Sequence, residues 1–191
     1  MKQQLEKYIR TFIELSEDDL AIIENIIIEK KIKKGEHFII IGKTCEELAF
    51  FEKGYFRYYY IDKNGNEITS DFLFGPNIVT SYTSYITALP SQTYVQAMED
   101  TNLFVLNKFK LEQLYKNNLS INKLGRKIAE SISIHYEQHL LNILNKSAKE
   151  RYKILLLTKP EYIEKIPLQY ISSYLGIKQE TLSRVRKKIK L

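Results

Sequence analysis

The chain has 191 residues, of which 44% are hydrophobic and 27% charged, a composition that is typical of a folded protein and excludes wholesale disorder. Its net charge is +6, and its one cysteine, Cys45, excludes an internal disulfide and a four-cysteine iron–sulfur cluster. The N-terminus MKQQLEKYIRTF is polar, and the longest apolar run, AIIENIII, is too short to span a bilayer, so we expect a cytoplasmic protein with no membrane partner.

The first 30 residues are predicted to be helical. Ser16 is followed by three acidic residues, which is typical of a helix N-cap and first turn. Leu20, Ile23, Ile26 and Ile27 then recur at helical spacing.

Residues from about 31 to 107 predict a β-rich segment. Short runs of Ile, Phe, Tyr and Thr are separated by glycines, and Asn64-Gly65 predicts a tight hairpin turn. The predicted strands are HFIII, LAFFEKG, YFRYYYI, EITSDFLF, TYVQAM and LFVL. Many short strands at this spacing favour a small barrel or roll.

A long helix is predicted from about 110 to 146. Leu124, Ile128, Ile132 and Ile143 mark one apolar side, which suits pairing with a partner helix. Ser147-Ala-Lys-Glu150 is a capping-box pattern, so a new helix is predicted over 147–157 with a hinge just before it. Lys159-Pro160 ends that helix.

The last 26 residues predict a helix-turn-helix. Pro167 suits a first helical position, and Leu168, Ile171 and Leu175 follow at helical spacing before Gly176 ends the helix. A second helix begins two residues later. Its predicted buried stripe is formed by Leu182, Val185 and Ile189.

Polar residues on the other face of the second helix are candidates for DNA contact. At about 100° per residue, Glu180, Arg184 and Lys187 lie opposite the stripe. The full candidate set is Gln169, Lys178, Gln179, Glu180, Ser183, Arg184 and Lys187. Residues 147–191 hold 11 Lys and Arg against 4 Asp and Glu, which favours a phosphate-backbone partner. A solvated helical hairpin and a membrane-surface helix are the alternatives.

The order of these elements resembles the cyclic-AMP receptor protein/FNR (Crp/Fnr) family of bacterial transcription regulators. The matching residues are Lys34-Gly35-Glu36, Gly54, Phe74-Gly75, Gly176 and Glu180-Thr181-Leu182-Ser183-Arg184. The resemblance implies an α+β fold: a jelly-roll-like β-roll of the cyclic-nucleotide-binding type, a dimerisation helix at about 110–146 and an all-α helix-turn-helix domain. It places the sensor domain at 1–146 and the DNA-binding domain at 147–191.

The resemblance also implies partners and residue roles. Two chains would pair and bind a palindromic double-stranded operator, with a small-molecule effector in the roll and RNA polymerase as a further candidate partner. Glu180 and Arg184 match the family's base-reading positions, and Gln169 matches a phosphate contact. Gln179 stands where the best-known member has Arg, so the base read there should change.

Two departures from the family pattern change these expectations. Phe74-Gly75 is followed by Pro76 instead of Glu, and Ser91-Gln92 stands where cyclic-nucleotide-binding members have Arg-Ser. A buried phosphate would lack its guanidinium partner, so weak or no binding of cyclic AMP is expected. The sequence ends two residues after Ile189, so most of the family's β-hairpin wing is expected to be missing.

Several other residues are candidates for sensing roles. Tyr58, Tyr60, Tyr82, Tyr85 and Tyr94 either pack the roll or line an effector pocket. His135 and His139 are four residues apart on the long helix; we expect a polar or interfacial pair, with no metal and no cofactor. Cys45 lies in a polar, turn-like stretch, and whether it or the histidines sense anything stays open.

The leading prediction is a homodimeric, sequence-specific DNA-binding transcription regulator that cyclic AMP does not control. The alternative is a small-molecule-sensing roll that acts through a protein partner. An enzyme on a cupin-like roll is disfavoured because His37 is the roll's one histidine and no catalytic residues are apparent.

Overall fold

The computed structural model describes residues 2–188, so Ile189 of the predicted buried stripe lies outside the described residues. The contacts divide the chain into two units. The roll unit comprises the chain up to Tyr60 together with Phe72–Ser131, and the helical unit comprises Ile61–Asp71 and the chain from Ile132 onward.

The N-terminal part of the chain alternates helices and short strands. In chain order its elements are α1 (Lys2–Arg10), α2 (Glu17–Ile26), β1 (Ile28–Ile32), β2 (His37–Ile39), β3 (Glu47–Phe51), β4 (Tyr55–Ile61), β5 (Glu67–Phe74), β6 (Asn77–Val79), α3 (Tyr82–Thr87), β7 (Tyr94–Ala97) and β8 (Thr101–Asn107). The C-terminal part is helical. Its elements are α4 (Lys108–Asn117), α5 (Leu119–Asn145), α6 (Ala148–Thr158), α7 (Pro160–Lys165), α8 (Leu168–Tyr174) and α9 (Gln179–Lys188).

Two four-stranded sheets form the predicted jelly-roll-like β-roll. One sheet has the strand order β1-β8-β3-β6, and the other has the order β2-β7-β4-β5. Strand β8 is central to the first sheet and pairs antiparallel with β1 and β3, with Ile28 opposite Val105 and Phe50 opposite Phe104. The α+β prediction is therefore confirmed.

Each face of the first sheet buries its own apolar cluster. The inner cluster lies between the two sheets and includes Phe51, Phe56 and Val105. The outer cluster joins Phe50 and Phe104 of the first sheet to helices α1, α2, α4 and α5. The roll therefore needs both the second sheet and the helices to cover its strands.

Local signals place several boundaries where the sequence predicts them. The Ser16 hydroxyl accepts a hydrogen bond from the Asp19 amide at 3.1 Å and caps α2. The capping box at α6 is present, with Glu150 N 3.3 Å from Ser147 Oγ and Ser147 N 2.8 Å from Glu150 Oε2. Strands β4 and β5 match the predicted runs, and Gly65 adopts φ +82° in the hairpin turn between them.

Other boundaries differ from the prediction. The N-terminal helical segment ends at Ile26, because Ile28–Ile32 pairs with β8 as a strand. The predicted long helix is two helices, because Asn118 is extended and its side chain accepts from the Ile121 amide at 3.0 Å to cap α5. Pro160 begins the additional helix α7 at its first position.

The division into two units differs from the boundary predicted at 146/147. It lies within α5 and assigns the β4–β5 hairpin tip, Ile61–Asp71, to the helical unit. The capping box at Ser147 begins a new helix. The predicted boundary at 146/147 between two independently folding domains stays a prediction. None of the helices in residues 2–188 has the length and hydropathy of a membrane span.

Candidate functional site

Helices α8 and α9 form the predicted helix-turn-helix. The amide of Ile177 donates to Ser172 O, and the amide of Gly176 donates to Ser173 O, both at 3.0 Å. These two bonds define a Schellman motif, with Gly176 at φ +65° in its left-handed position. The glycine predicted to end the first helix therefore does so. Pro167 is at the N-cap, one residue before the predicted start.

The apolar residues of this motif face inward. Ile171 and Leu175 of α8 are buried, Leu182 of α9 is 0% exposed, and Val185 is half-buried. The described part of the predicted stripe on α9 is therefore a packing face. Its opposite face is left free for solvent or a partner.

The predicted DNA-contact residues lie on that free face and its flanks. Gln169 of α8 is exposed, and so is Lys178 at the start of α9; Ser183 is half-buried. The remaining exposed candidates on α9 are Gln179, Glu180, Arg184 and Lys187. Within residues 2–188 these α9 side chains form no ion pair, so their charges are available.

Arg151 fixes the end of α8, and the sequence pattern did not single it out. Its Nη2 donates to Leu175 O, and its Nη1 donates to Lys146 O, both at 2.6 Å. A guanidinium can satisfy the free carbonyls at two helix ends because it has several donors in one plane. Arg151 therefore links the end of α8 to the α5–α6 connection.

The hairpin tip of the helical unit also binds α8. The Thr69 amide donates to Ser173 Oγ at 2.9 Å, and Ser173 Oγ is 3.3 Å from Glu67 O. The Asp62 side chain accepts from the amides of Asn64 and Asn66 and so orders the turn. Helix α8 is thus held from two sides within the helical unit.

His135 and His139 each have a different partner. His135 Nε2 lies 2.7 Å from Oδ2 of Asp71, which is 3% exposed. His139 Nδ1 lies 3.2 Å from the hydroxyl of Tyr174 on α8, and the two rings stack at 5.1 Å. Among residues 2–188, no group of three or more His, Cys, Asp or Glu side chains is placed to hold a metal ion.

The protonation of this cluster follows from its burial. Burial raises the pKa of Tyr174, so its hydroxyl keeps a proton that it can donate to a neutral imidazole. Burial lowers the pKa of His139, while Asp71 opposes the shift and His135 adds to it. The neutral form of His139 is therefore the one that the helical unit favours.

The apolar residues of α5 divide between two faces. Leu124 is buried and Ile128 packs on the outer cluster, so this part of the predicted pairing stripe is used within the chain. A different set is exposed, and Leu144 is 69% exposed. The exposed set on α5 is Ile134, Leu140, Leu141, Ile143 and Leu144.

The five candidate effector tyrosines have different surroundings. The Tyr58 hydroxyl donates to Thr80 O at 3.0 Å from within the inner cluster, Tyr60 is exposed, and Tyr94 stacks on Tyr59 at 4.9 Å. Tyr82 and Tyr85 line a cavity on the outer side of the first sheet. A further cavity of about 320 Å³ in the helical unit is lined by His135, His139 and Arg151 among others.

The segment Phe74–Pro76, called the cassette below, is closely packed at Gly75. A Cβ on Gly75 would lie 2.6 Å from Glu52 O, so the residue must be glycine. Ser91 is buried, and its hydroxyl is bonded to Ser81 and Thr93 O at 2.8 Å. This hydroxyl is therefore already used by the protein.

Cys45 is buried, in contrast to its polar sequence context. It is 1% exposed, and its Sγ donates to Glu47 O at 3.2 Å. An oxidant in solution would need the surrounding structure to open before it reached the sulfur.

The chain is similar to one protein family and to several solved structures. Residues 29–118 match the model of the cyclic nucleotide-binding domain family. FixK2 from Bradyrhizobium japonicum is similar over 86% of this chain and 84% of its own, with 20% identity and a TM-score of 0.71. A Crp/Fnr-family transcriptional regulator from Eubacterium rectale has 20% identity over 91% of this chain and 83% of its own, at TM-score 0.71.

A third solved structure broadens the comparison. The c-di-GMP-responsive global regulator CLP from Xanthomonas campestris has 13% identity over 91% of both chains, at TM-score 0.71. No curated protein matches the chain. At these identities the likeness shows the fold.

We predict that His139 makes the stability of the protein depend on pH. Because its pKa is lowered on folding, its contribution is complete above the unfolded value of 6.5 and is lost as pH falls below that value. Chemical unfolding of the wild type and His139→Gln should therefore give a pH-independent difference in unfolding free energy from pH 7.5 to 8.5. Below about pH 6.5 the wild type should lose more stability than the variant. Parallel curves down to pH 5 would contradict the assignment.

Proposed function

We propose that this chain, which has the fold of Crp/Fnr-family regulators and a roll that matches the cyclic nucleotide-binding domain family, is a homodimeric, sequence-specific DNA-binding transcription regulator. The observation that carries the proposal is the exposed polar face of α9. It lies opposite the buried Leu182, on the second helix of a helix-turn-helix. A recognition helix in this motif places such a face against base edges in the major groove.

The side chains on α9 have the chemistry that base reading requires. Arg184 can donate two hydrogen bonds to guanine O6 and N7, and Glu180 can accept from cytosine N4. Gln179 can pair with adenine in the same groove. Gln169, Lys178 and Lys187 suit contacts to phosphates, which set the register of the protein on the duplex.

The exposed apolar face of α5 supports pairing of two chains. Ile134, Leu141 and Leu144 are spaced by seven and three residues, which is the heptad pattern of helices that pair. All three are about half exposed or more. Pairing α5 with its copy would bury them and place two recognition helices on a two-fold symmetric operator, with half-sites about one helical turn apart.

We propose that cyclic AMP does not control this protein. The residues at the cassette do not fit the ligand, because Pro76 replaces the ribose-binding Glu and the Ser91 hydroxyl is bonded within the protein. Buried phosphate requires charge-assisted donors, and Ser91-Gln92 supplies no cation. The effector, if the roll has one, would be a different small molecule.

The remaining parts of the proposal follow from regulation of transcription. RNA polymerase is a candidate protein partner, and the protein would act in the cytoplasm without a membrane partner. We propose no catalytic activity, metal or cofactor for it. The alternative is a roll that acts through a protein partner without specific DNA binding. The DNA-selection experiment below distinguishes it from the proposed regulator.

The first prediction of this proposal concerns DNA recognition. Selection of bound duplexes from a random pool should enrich a palindromic motif. Arg184→Ala should weaken binding to that motif by about 1–3 kcal/mol and relax specificity at one base pair in each half-site. Lys187→Ala should weaken binding to all sequences and reduce the slope of log affinity against log salt by about 1. Both are measured by fluorescence anisotropy over a series of salt concentrations.

Lys153→Ala provides a matched control, since Lys153 is an exposed cation on α6 outside the helix-turn-helix. It should leave specificity unchanged. Failure to enrich a motif would favour the alternative that acts through a protein partner. An enriched motif whose binding does not depend on Arg184 or Lys187 would show that α9 is not the reading helix.

The second prediction concerns the dimer. Burying a leucine side chain contributes about 1.5–3 kcal/mol, and a two-fold interface changes at two places in each variant. Leu141→Asp and Leu144→Asp should therefore raise the dimer dissociation constant at least about tenfold, measured by analytical ultracentrifugation. Leu157→Asp, at an exposed leucine of α6, should leave it unchanged. An unaltered dimer in the α5 variants would place the interface elsewhere.

The third prediction concerns cyclic AMP. A ligand that binds the folded state raises the free energy of unfolding by RT ln(1 + [L]/Kd), and the melting temperature rises with it. We expect millimolar cyclic AMP to leave the melting temperature of the purified protein unchanged in differential scanning calorimetry. A rise that grows with the concentration of cyclic AMP would show that the roll binds the nucleotide without the usual phosphate contacts.

A further inference from the structure

The roll unit contains an apolar cavity on the outer side of its first sheet. The volume is about 310 Å³, at the small end of the range for pockets that bind small molecules. Its floor is formed by buried residues such as Phe50, Leu106 and Leu124. Ile86 and Asn122 line it from exposed positions, so a ligand has a route of entry.

Tyr85 is one of the residues that line this cavity, and it carries an unpaired hydroxyl. The residue is 5% exposed, and its buried hydroxyl has no hydrogen-bond partner in the described part of the chain. A buried donor without a hydrogen-bond partner destabilises the folded state, and native proteins rarely leave one. Burial also raises the pKa of Tyr85, so the hydroxyl keeps its proton and can act as a donor.

One wall of the cavity depends on a glycine. A Cβ on Gly125 of α5 would lie 2.6 Å from Cζ of Tyr115, so the tyrosine ring can lie against the helix because position 125 has no side chain. Burial raises the pKa of Tyr115 to about 12, and the wall is therefore uncharged. Both residues line the cavity together with Tyr82.

The charge of the lining selects against ions. Among the described lining residues, the one charged side chain is Arg126, which is exposed and bonded to Glu130. Transferring a charged group into an apolar site without a partner is strongly unfavourable. The floor and walls therefore favour a neutral molecule.

From these observations we propose that the cavity binds a small, uncharged, largely apolar molecule with one hydrogen-bond acceptor, to which the Tyr85 hydroxyl donates. The apolar body of the ligand would cover the leucine, isoleucine and phenylalanine side chains of the floor. Its acceptor would satisfy the unpaired hydroxyl. This binding site is independent of the proposed DNA binding and would exist in a protein of any function.

Two probes of similar size test the proposal on the full-length protein. Acetophenone has a carbonyl acceptor, and ethylbenzene lacks one. Binding is followed by methyl NMR of the cavity isoleucines. The reporter methyls belong to Ile9, Ile23, Ile78, Ile86, Ile121 and Ile128. Both probes should shift these signals saturably, because both can fill the apolar space.

Measuring both probes on the wild type and on variants isolates the contribution of the Tyr85 hydroxyl to binding. Tyr85→Phe should weaken acetophenone about two- to tenfold while leaving ethylbenzene equal or tighter, since one neutral hydrogen bond contributes that much. Tyr152→Phe, which alters a buried tyrosine of α6 outside the cavity, should change neither affinity. For each probe, the affinity for Tyr85→Phe is divided by the affinity for the wild type. Comparing these two ratios cancels the difference in hydrophobicity between the probes.

A filling variant tests the location without touching Tyr85. Ala129 of α5 lines the cavity, and Ala129→Leu should abolish or greatly weaken binding of both probes. The proposal is overturned if neither probe shifts the cavity methyls up to its solubility limit. It is also overturned if Ala129→Leu binds as the wild type does, or if Tyr85→Phe affects both probes equally.

Discussion

Burial of both faces of strands β3 and β8 is the constraint on which the roll unit depends. Phe50 and Phe51 are neighbours in sequence, point to opposite faces of the sheet, and are each 0% exposed. Leu103 and Phe104 repeat this arrangement on β8. A sheet with two apolar faces needs two covering layers, and the second sheet and helices α1, α2, α4 and α5 supply them. The apolar cavity lies in the helical layer, where side chains from several elements meet the sheet.

In the helical unit, pairs of polar groups hold α8 in addition to the apolar packing of Ile171, Leu175 and Leu182. Asp71 is nearly inaccessible, and a carboxylate in such a place requires hydrogen-bonding partners. His135 provides one at 2.7 Å. Ser173, Tyr174 and Arg151 then connect α8 to the hairpin tip, to α5 and to the α5–α6 connection. These contacts fix the position of α8, and the Schellman turn fixes α9 relative to α8.

The sequence predicts the features that depend on local chemistry. The capping residues Ser16 and Ser147, the turn at Gly65 and the left-handed Gly176 lie where they are expected, because each depends on its immediate neighbours. Strands β4 and β5 are predicted correctly because they are long and rich in aromatic and β-branched residues. The exposure of the α9 face follows from helical periodicity.

Features that depend on residues far apart in the chain could not be predicted from the sequence. Strand β1 reads IEKKI, which is mostly polar, and it forms because β8 offers a free edge. Helix α3 contains Tyr, Thr and Ile, which favour a strand, yet it is helical in the fold. The Asp71–His135 contact joins residues 64 positions apart, and no local pattern marks it. The cavity with its unpaired Tyr85 hydroxyl arises from the packing of several elements, and it likewise could not be predicted from the sequence.

Helix α5 brings the separate roles of the chain into one element. At about 100° per residue, the cavity residues, the two histidines and the pair Leu141 and Leu144 have different mean directions around the helix. Gly125 and Ala129 line the cavity, His135 and His139 join the polar contacts of the helical unit, and the set that includes Leu141 and Leu144 is exposed. The cavity lining, the proposed pairing of two chains and the contacts that hold α8 therefore use different side chains of the same helix. For this reason single substitutions on α5 can alter one of these roles while leaving the side chains of the other two in place.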